Sequence, residues 1–100
     1  MMNYSKLSDN KINAEVALHW LGKGNFGLMN GAVETFGGSF NPCNNPEDAW
    51  PIIIANKIGI APAKVGDKWA AHYRNWDIAI THTNPLRAAM IVFLMMQESE

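Results

Sequence analysis

Apolar residues run almost without interruption through the C-terminal part of the chain. From Leu86 to Met96 only Arg87 is charged, and the alanines and methionines of this stretch are strong helix formers. Asn84 is a good N-cap residue, and Pro85 suits the first helical position because its missing N–H costs nothing there. A helix that is apolar on nearly every side must be buried on nearly every side. We therefore predict that this helix is the centre of the fold.

Two further helices are predicted, one near the N-terminus and one in the middle of the chain. Ser8 is a suitable N-cap for a helix over residues 9–21, where apolar residues recur at helical spacing and which Gly22 ends. Asn45–Pro46 has the same Asn N-cap and first-position proline as the C-terminal helix, and it begins a helix that contains a run of isoleucines. Pro51 lies inside that helix, where it removes a backbone donor and is expected to bend the axis.

Alternating apolar and polar residues predict strands between the second and third helices. Residues 58–62 end in a proline, which favours an edge strand or a bulge. Val65, a turn at residues 66–67 and a strand over 68–73 together predict a hairpin, and residues 77–83 alternate as well. The expected class is α+β, with a small antiparallel sheet of about three strands packed against two to three helices.

The remaining stretch, residues 22–41, is rich in glycine and lacks helical periodicity. We predict a glycine-rich loop or lid at 22–41 that includes a short strand over 32–36. A plain surface loop is the simpler interpretation of the two. The length suits one domain over residues 1–100, and a hydrophobic share of 48% is sufficient for a packed core.

Charge and cysteine usage narrow the classes of function. The formal net charge is -1 and the cations are scattered, which argues against a dedicated nucleic-acid patch. The C-terminal apolar run is shorter than the roughly 20 residues that span a bilayer, so no membrane association is expected. Cys43 is the single cysteine, so no disulfide can form within the sequence, and a reducing compartment suits it.

No motif indicates catalysis or metal binding. His72 and His82 lie on neighbouring predicted strands, but no H-x-x-H or H-E-x-x-H pattern accompanies them. Cys43 with a distant histidine is a conceivable nucleophilic pair, although a lone buried cysteine is far commoner. We therefore predict a protein that is not an enzyme, with no catalytic residues, no metal and no cofactor.

Three segments of the sequence resemble a known family. They are Pro42–Ile53 (PCNNPEDAWPII), Asn84–Gln97 (NPLRAAMIVFLMMQ) and the opening Tyr4–Asp9 (YSKLSD). These segments resemble the NinX family, which comprises small proteins of tailed phages and prophages encoded in the nin region of lambdoid phages. The resemblance implies a phage origin and a location in the host cytoplasm. It implies no catalytic residues.

The residues point to a binding surface around the two Asn-Pro helix starts. The sequence contains four tryptophans, and such rings fill cores, anchor interfaces or stack on bases. Backbone N–H groups at a helix start can also hold an anion. The predicted ligand-binding residues are Asn44, Asn45, Asp48, Trp50, Trp69, His82, Asn84 and Arg87.

Arg87 has two interpretations, because the first turn of a helix disfavours a cation. In the first, Arg87 pairs with Asp48 or Glu47 and ties the two Asn-Pro starts together. In the second, its guanidinium reaches a ligand phosphate bidentately. We favour the ion pair and keep both open.

Two functions of different kinds follow. The first is a non-enzymatic phage accessory protein that binds and sequesters a small nucleotide-like molecule, such as a host defence signal. The alternative is a protein-interaction module that acts on a host or phage replication or recombination factor. A homo-oligomer is also expected, because so few other elements are available to cover the C-terminal helix.

Overall fold

The computed structural model describes residues 3–64 and 66–98, which form three α-helices and six strands. The helices are α1 (Asp9–Trp20), α2 (Pro46–Asn56) and α3 (Pro85–Glu98), and a short 3-10 helix (Tyr4–Lys6) precedes α1. The strands are β1 (Gly27–Met29), β2 (Ala32–Thr35), β3 (Gly38–Phe40), β4 (Gly59–Pro62), β5 (Trp69–Tyr73) and β6 (Ile78–His82).

The strands form two separate antiparallel sheets of three strands each. The N-terminal sheet has the order β1-β2-β3, and the C-terminal sheet has the order β4-β5-β6. Helix α1 contacts β2, whereas α3 contacts α1, α2 and the C-terminal sheet. The predicted α+β class is confirmed, with two small sheets around the helices.

Helix α3 is central, as its composition predicts. Every residue from Arg87 to Leu94 is at most 7% exposed, because α1, α2 and the C-terminal sheet surround the helix. The chain itself therefore covers α3. The homo-oligomer was expected because the sequence provides few other elements to cover this helix. That argument no longer applies, and the homo-oligomer stays a prediction. Within residues 3–64 and 66–98, no helix is both long and apolar enough to cross a membrane.

The predicted helix boundaries are confirmed by their capping hydrogen bonds. Ser8, Asn45 and Asn84 each accept a bond from a backbone N–H of the following turn, at 3.2, 3.0 and 3.0 Å. Gly22 ends α1 with a left-handed φ of 96°, and its N–H donates to the Ala17 carbonyl at 3.1 Å. Local sequence chemistry thus sets the helix ends.

The stretch 22–41, for which we expected a loop or lid, forms the N-terminal sheet. Its inner row pairs Leu28 with Val33 and Val33 with Phe40. Asn30 and Gly31 form the two-residue loop between β1 and β2, with φ of 54° and 84°. Both residues are left-handed, as an Asn-Gly hairpin turn requires. These strands have only three or four residues, and glycines separate them. The alternation of apolar and polar residues therefore does not stand out in the sequence.

The C-terminal sheet pairs β4 with β5 as a hairpin and confirms the predicted edge strand; Val65, which the predicted hairpin included, lies outside the described residues. Among the described residues β4 pairs only with β5, so the proline at its end lies on a sheet edge, where its missing donor is tolerated. Ile78 and Ile80 of β6 pack against the core around α3. This sheet therefore covers one side of α3.

Candidate functional site

The two Asn-Pro helix starts meet beside α3. Asn84 Nδ2 donates to the Cys43 carbonyl at 2.7 Å and approaches Asn44 Oδ1 at 3.3 Å. Asn44 Nδ2 donates in turn to Asp9 Oδ2 at 3.0 Å, at the start of α1. Three helix starts therefore converge at one place. We call this site the polar junction; its members are Asp9, Asn13, Asn41, Asn44, Asn84 and Arg87.

Arg87 is the most heavily bonded member of the polar junction. Its Nη1 donates to Asp9 Oδ1 at 2.6 Å, and its Nη2 donates to the carbonyls of Leu7, Ser5 and Tyr4 at 2.7, 3.2 and 3.4 Å. The side chain is 8% exposed. Arg87 Nε is the one buried side-chain polar atom of the described residues with no hydrogen-bond partner. The guanidinium thus holds the segment before α1 against α3.

The predicted partner of Arg87 is wrong: the cation pairs with Asp9 and not with Asp48 or Glu47. Asp48 is engaged elsewhere, because its Oδ2 accepts from the Asn41 backbone N–H at 2.9 Å. The two Asn-Pro starts are joined by amide side chains, which leaves the guanidinium free to reach the third helix start. Both terminal nitrogens are occupied by protein groups, so a ligand phosphate would have to displace them.

The ionisable groups of this region are tuned by burial and by one another. Burial alone would raise the pKa of Asp9, but the hydrogen bonds from Asn44 and Arg87 and the nearby positive charge lower it below 3.8. Burial, reinforced by the Asp9 carboxylate, raises the pKa of the Cys43 thiol to about 12. Cys43 is therefore a neutral thiol at pH 7, which is a poor nucleophile.

Asn13 and Asn41 complete the polar junction, and sequence reasoning missed both. Asn13 is 2% exposed; its Nδ2 donates to Asn41 Oδ1 at 2.7 Å, and its Oδ1 accepts from the Cys43 N–H at 3.0 Å. A signal was present, because Asn13 lies between Val16 and Ala17 on the apolar face of α1. A polar side chain at such a position predicts an internal hydrogen bond.

Four other predicted ligand-binding residues lie outside the polar junction. Two of them are close to Asn84, and the other two belong to α2 and its cap. His82 Nδ1 accepts from the Asn84 N–H at 2.9 Å, and Trp69 is the cross-strand neighbour of His82. Trp69 is 39% exposed. Asn45 is used as the cap of α2, and Trp50 is 58% exposed on that helix. The structure therefore gathers Asn44, His82, Asn84 and Arg87, with Trp69 next to His82.

The polar junction has a structural role, because its hydrogen bonds hold parts of the chain together. Its amides, carboxylate and guanidinium bond mainly to one another and to backbone groups. In the described part of the chain, no group of three His, Cys, Asp or Glu residues is placed to hold a metal ion. The arrangement explains how three helix starts are fixed together.

A second feature is an open groove between α1 and β1, with a volume of about 550 Å3. Leu28, Val33 and Phe40 share the face of the N-terminal sheet that looks towards α1. Val33 and Phe40 are buried, whereas Leu28 is 60% exposed because it lines the groove. The groove residues are Ser8, Asn10, Lys11, Ala14, Glu15, Leu18, Phe26, Leu28 and Gly31.

Together these features define a small α+β protein with three helices, two antiparallel sheets and a hydrogen-bonded junction where the three helices begin. Residues 3–97 match the sequence model of the family described as "Bacteriophage P22, NinX". The chain belongs to this family and is a phage protein, as the resemblance of its three segments implied. Searches among curated proteins and among solved structures gave no match.

Proposed function

We propose that the protein is an interaction module that binds a host or phage protein through the groove between α1 and β1. The observation that carries this proposal is the half-open apolar lining of the groove, where Leu28 is 60% and Leu18 42% exposed. Exposed apolar surface that a small domain leaves inside a groove is typical of a docking site for another chain.

The edge of the N-terminal sheet adds a second means of recognition at the same place. Within residues 3–64 and 66–98, β1 pairs only with β2, so no strand of this part of the chain pairs with the outer backbone groups of β1. An extended segment can add to such an edge and place alternate side chains in the adjoining groove. Lys11 and Glu15 stand on the α1 side, where they can pair with charges of either sign on the partner.

The family membership supports the proposed location. A phage protein acts after expression in an infected cell, so the host cytoplasm is the proposed compartment. Host and phage factors of replication and recombination are the proposed partners, because their machinery is available there. The buried Cys43 thiol is compatible with a reducing compartment.

The test is capture of partners from infected-host lysate by tagged full-length protein, followed by mass spectrometry. Leu28→Asp places a charge in the groove and is expected to abolish capture of a stoichiometric partner. Met29→Asp is the matched control, because Met29 is 65% exposed on the same strand but points to the opposite face. Equal capture by wild type and Leu28→Asp would contradict the proposal.

A second function is favoured by one arrangement near the start of α3. The partly exposed indole of Trp69 lies across the strand pair from His82, which bonds to Asn84. An aromatic ring beside a polar helix start suits a nucleotide-like molecule, which the protein would bind and sequester as a host defence signal. A thermal-shift screen with nucleotides and cyclic dinucleotides tests this; stabilisation by none of them would count against it.

A further inference from the structure

We propose that a second copy of this chain covers the groove between α1 and β1, with the two β1 strands paired antiparallel about a two-fold axis at Leu28. The proposal rests on the interaction function given above, because it names what occupies the groove until a host or phage partner displaces it. The strands of the two N-terminal sheets then form one sheet in the order β3-β2-β1-β1-β2-β3. This dimer is a specific form of the homo-oligomer expected from the sequence.

The turn between β1 and β2 fixes which backbone groups of β1 point outward. A two-residue turn with positive φ at both positions, as at Asn30–Gly31, places its flanking residues Met29 and Ala32 in a hydrogen-bonded pair. Bonded and non-bonded pairs alternate along an antiparallel ladder, so the next pair, Leu28 with Val33, is non-bonded. The N–H and C=O of Leu28 therefore point away from β2, towards the edge that no strand of residues 3–64 and 66–98 covers.

The open edge of β1 is complementary to itself. Leu28 is the middle residue of this three-residue strand. A two-fold axis at Leu28 therefore sets the N–H of each copy opposite the C=O of the other, and two backbone hydrogen bonds form. The strand contains no charged residue and no proline, which are common protections against such pairing. Because the strand is short, we expect a dimer that dissociates on dilution.

The same pairing buries the side chains of the groove. Leu28 is 60% exposed towards the groove, and side chains directly opposite each other on adjacent strands lie on the same face of the sheet. The two Leu28 side chains therefore contact each other. The apolar lining at Leu18 and Phe26 of both copies surrounds them, so the two grooves become one apolar layer. Removing this surface from water is the main source of stability expected for the dimer.

Helix α1 completes the interface from the groove side of the sheet. It contacts β2 and forms one wall of the groove over β1. In the joined sheet the two α1 helices lie three strand spacings apart, roughly 14 Å. This gap exceeds the about 8–10 Å of direct helix packing, so the leucines fit between the helices and long side chains of α1 meet across it.

The charges on α1 distinguish a second copy from other occupants. Lys11 is exposed and Glu15 half-buried on the groove wall, and neither forms an ion pair within residues 3–64 and 66–98. The groove is lined by residues 8–18 on the α1 side and by residues 26–31 on the facing side. Its middle therefore has Leu28 on one side and the turn from Lys11 to Glu15 on the other. A two-fold axis there brings Lys11 of each copy to Glu15 of the other, so the charges complement their own rotated copy.

Sedimentation equilibrium of the full-length protein from micromolar to millimolar concentration is the first test. We expect twice the mass of one chain at the upper end and the mass of one chain after dilution. Leu28→Asp is expected to raise the Kd of the dimer on the order of 100-fold, because the lost apolar contact and the added charge both occur twice in a symmetric interface. Met29→Asp is the matched control and should keep the dimer, since Met29 lies on the opposite face of the strand.

A charge exchange tests the orientation of the two copies. Lys11→Glu sets carboxylates against each other at both ends of the interface, and Glu15→Lys does the same with ammonium groups. Each variant alone is expected to be mostly monomeric, whereas an equimolar mixture should form a heterodimer with all these charges paired. Single variants that stay dimeric would overturn the charge pairing. Circular dichroism checks each fold, and the mixture carries the test if Leu28→Asp is unfolded.

Amide exchange of the Leu28 N–H tests the strand pairing itself. This N–H should exchange more slowly in the wild-type dimer than in monomeric Lys11→Glu, whereas the Met29 N–H, bonded to Ala32 in both, should not change. A dimer whose Leu28 N–H is unprotected would overturn the pairing, and so would wild type that stays monomeric at millimolar concentration. Neither result affects capture of a host or phage partner. Equal capture by wild type and Leu28→Asp would instead remove the proposed function and leave the dimer standing.

Discussion

Arg87 and Asp9 are 78 residues apart in the sequence and form an ion pair with 2.6 Å between Nη1 and Oδ1. The pair joins the first turn of α3 to the first turn of α1. Its two ends differ in exposure, because the Arg87 side chain is 8% exposed and the Asp9 side chain 41%. The same guanidinium also binds three carbonyls of the segment before α1, so one residue fixes the N-terminal segment to the central helix.

Replacing Arg87 by methionine is therefore expected to lower the free energy of unfolding by about 2–4 kcal/mol. Removing one partner of a fully buried pair costs about 3–5 kcal/mol, and the partial exposure of Asp9 reduces that figure. Urea denaturation followed by circular dichroism measures the change. Arg74→Met, at an exposed arginine, is the control and should change stability by less than about 0.5 kcal/mol. Equal stability of wild type and Arg87→Met would contradict the assigned role.

Asp9 should make the stability of the fold depend on pH in acid. The folded pKa of Asp9 lies below its ordinary value of 3.8, so the unfolded chain binds the proton more readily. The contribution of Asp9 is thus fully present above that ordinary value and is lost as the pH falls through the lower folded value. Denaturation between pH 6 and pH 2 measures it.

The Asp9→Asn variant should lose stability at pH 6 and show a shallower fall in acid than wild type. Asp67→Asn, on the exposed hairpin turn before β5, is the control and should change the free energy of unfolding at pH 6 by less than about 0.5 kcal/mol. An unchanged acid limb in Asp9→Asn would show that the carboxylate is not coupled to folding.

The helices could be predicted from the sequence because their signals are local. The buried centre of α3 follows from its composition, and the caps at Ser8, Asn45 and Asn84 follow from side chains that bond within the next turn. The meeting of the two Asn-Pro starts was also anticipated. Their link to α1 was not, because the residue that pairs with Arg87 is set by tertiary packing and leaves no trace in nearby sequence.

The N-terminal sheet shows a different limit of sequence reasoning. Its strands have three or four residues, too few for a period of two to stand out. The Asn30–Gly31 pair was nevertheless a sufficient hairpin signal, since both residues have the left-handed φ that this turn requires. The groove beside β1 could not be predicted without the sheet, and neither could the exposure of Leu28.

Cys43 should react with thiol reagents only when the protein unfolds. The residue is 0% exposed, and burial raises the pKa of its thiol to about 12. Labelling by an aromatic disulfide reagent at pH 8 is therefore expected to follow the unfolding equilibrium and to accelerate with urea. Protein unfolded in high urea gives the reference rate, and complete labelling of native protein at that rate would contradict the assigned burial.

The raised thiol pKa also predicts an alkaline limit. Because the folded pKa is higher than the ordinary value of 9.0, the unfolded thiol ionises first as the pH rises. The stability linked to Cys43 is therefore present below pH 9 and is lost between about pH 9 and pH 12. Cys43→Ala should show a weaker dependence over this range, measured by denaturation at constant ionic strength; an identical slope in wild type and variant would assign the alkaline limit to other groups.

Gly59 should be intolerant of even a single methyl group, because the His72 imidazole occupies the space of its Cβ. Gly59→Ala is expected to lower the free energy of unfolding by about 1–3 kcal/mol, as overpacking usually does. It should also disturb the stacking of the His72 imidazole on the Trp76 indole. In a His72→Ala background the added methyl group has room, so the same substitution should cost much less; this double-mutant cycle isolates the contact. Gly27→Ala is the matched control, since Gly27 is also in a strand and a Cβ there meets nothing within 4 Å. An equal cost of Gly59→Ala with and without His72 would mean that the backbone, and not the imidazole, excludes the methyl group.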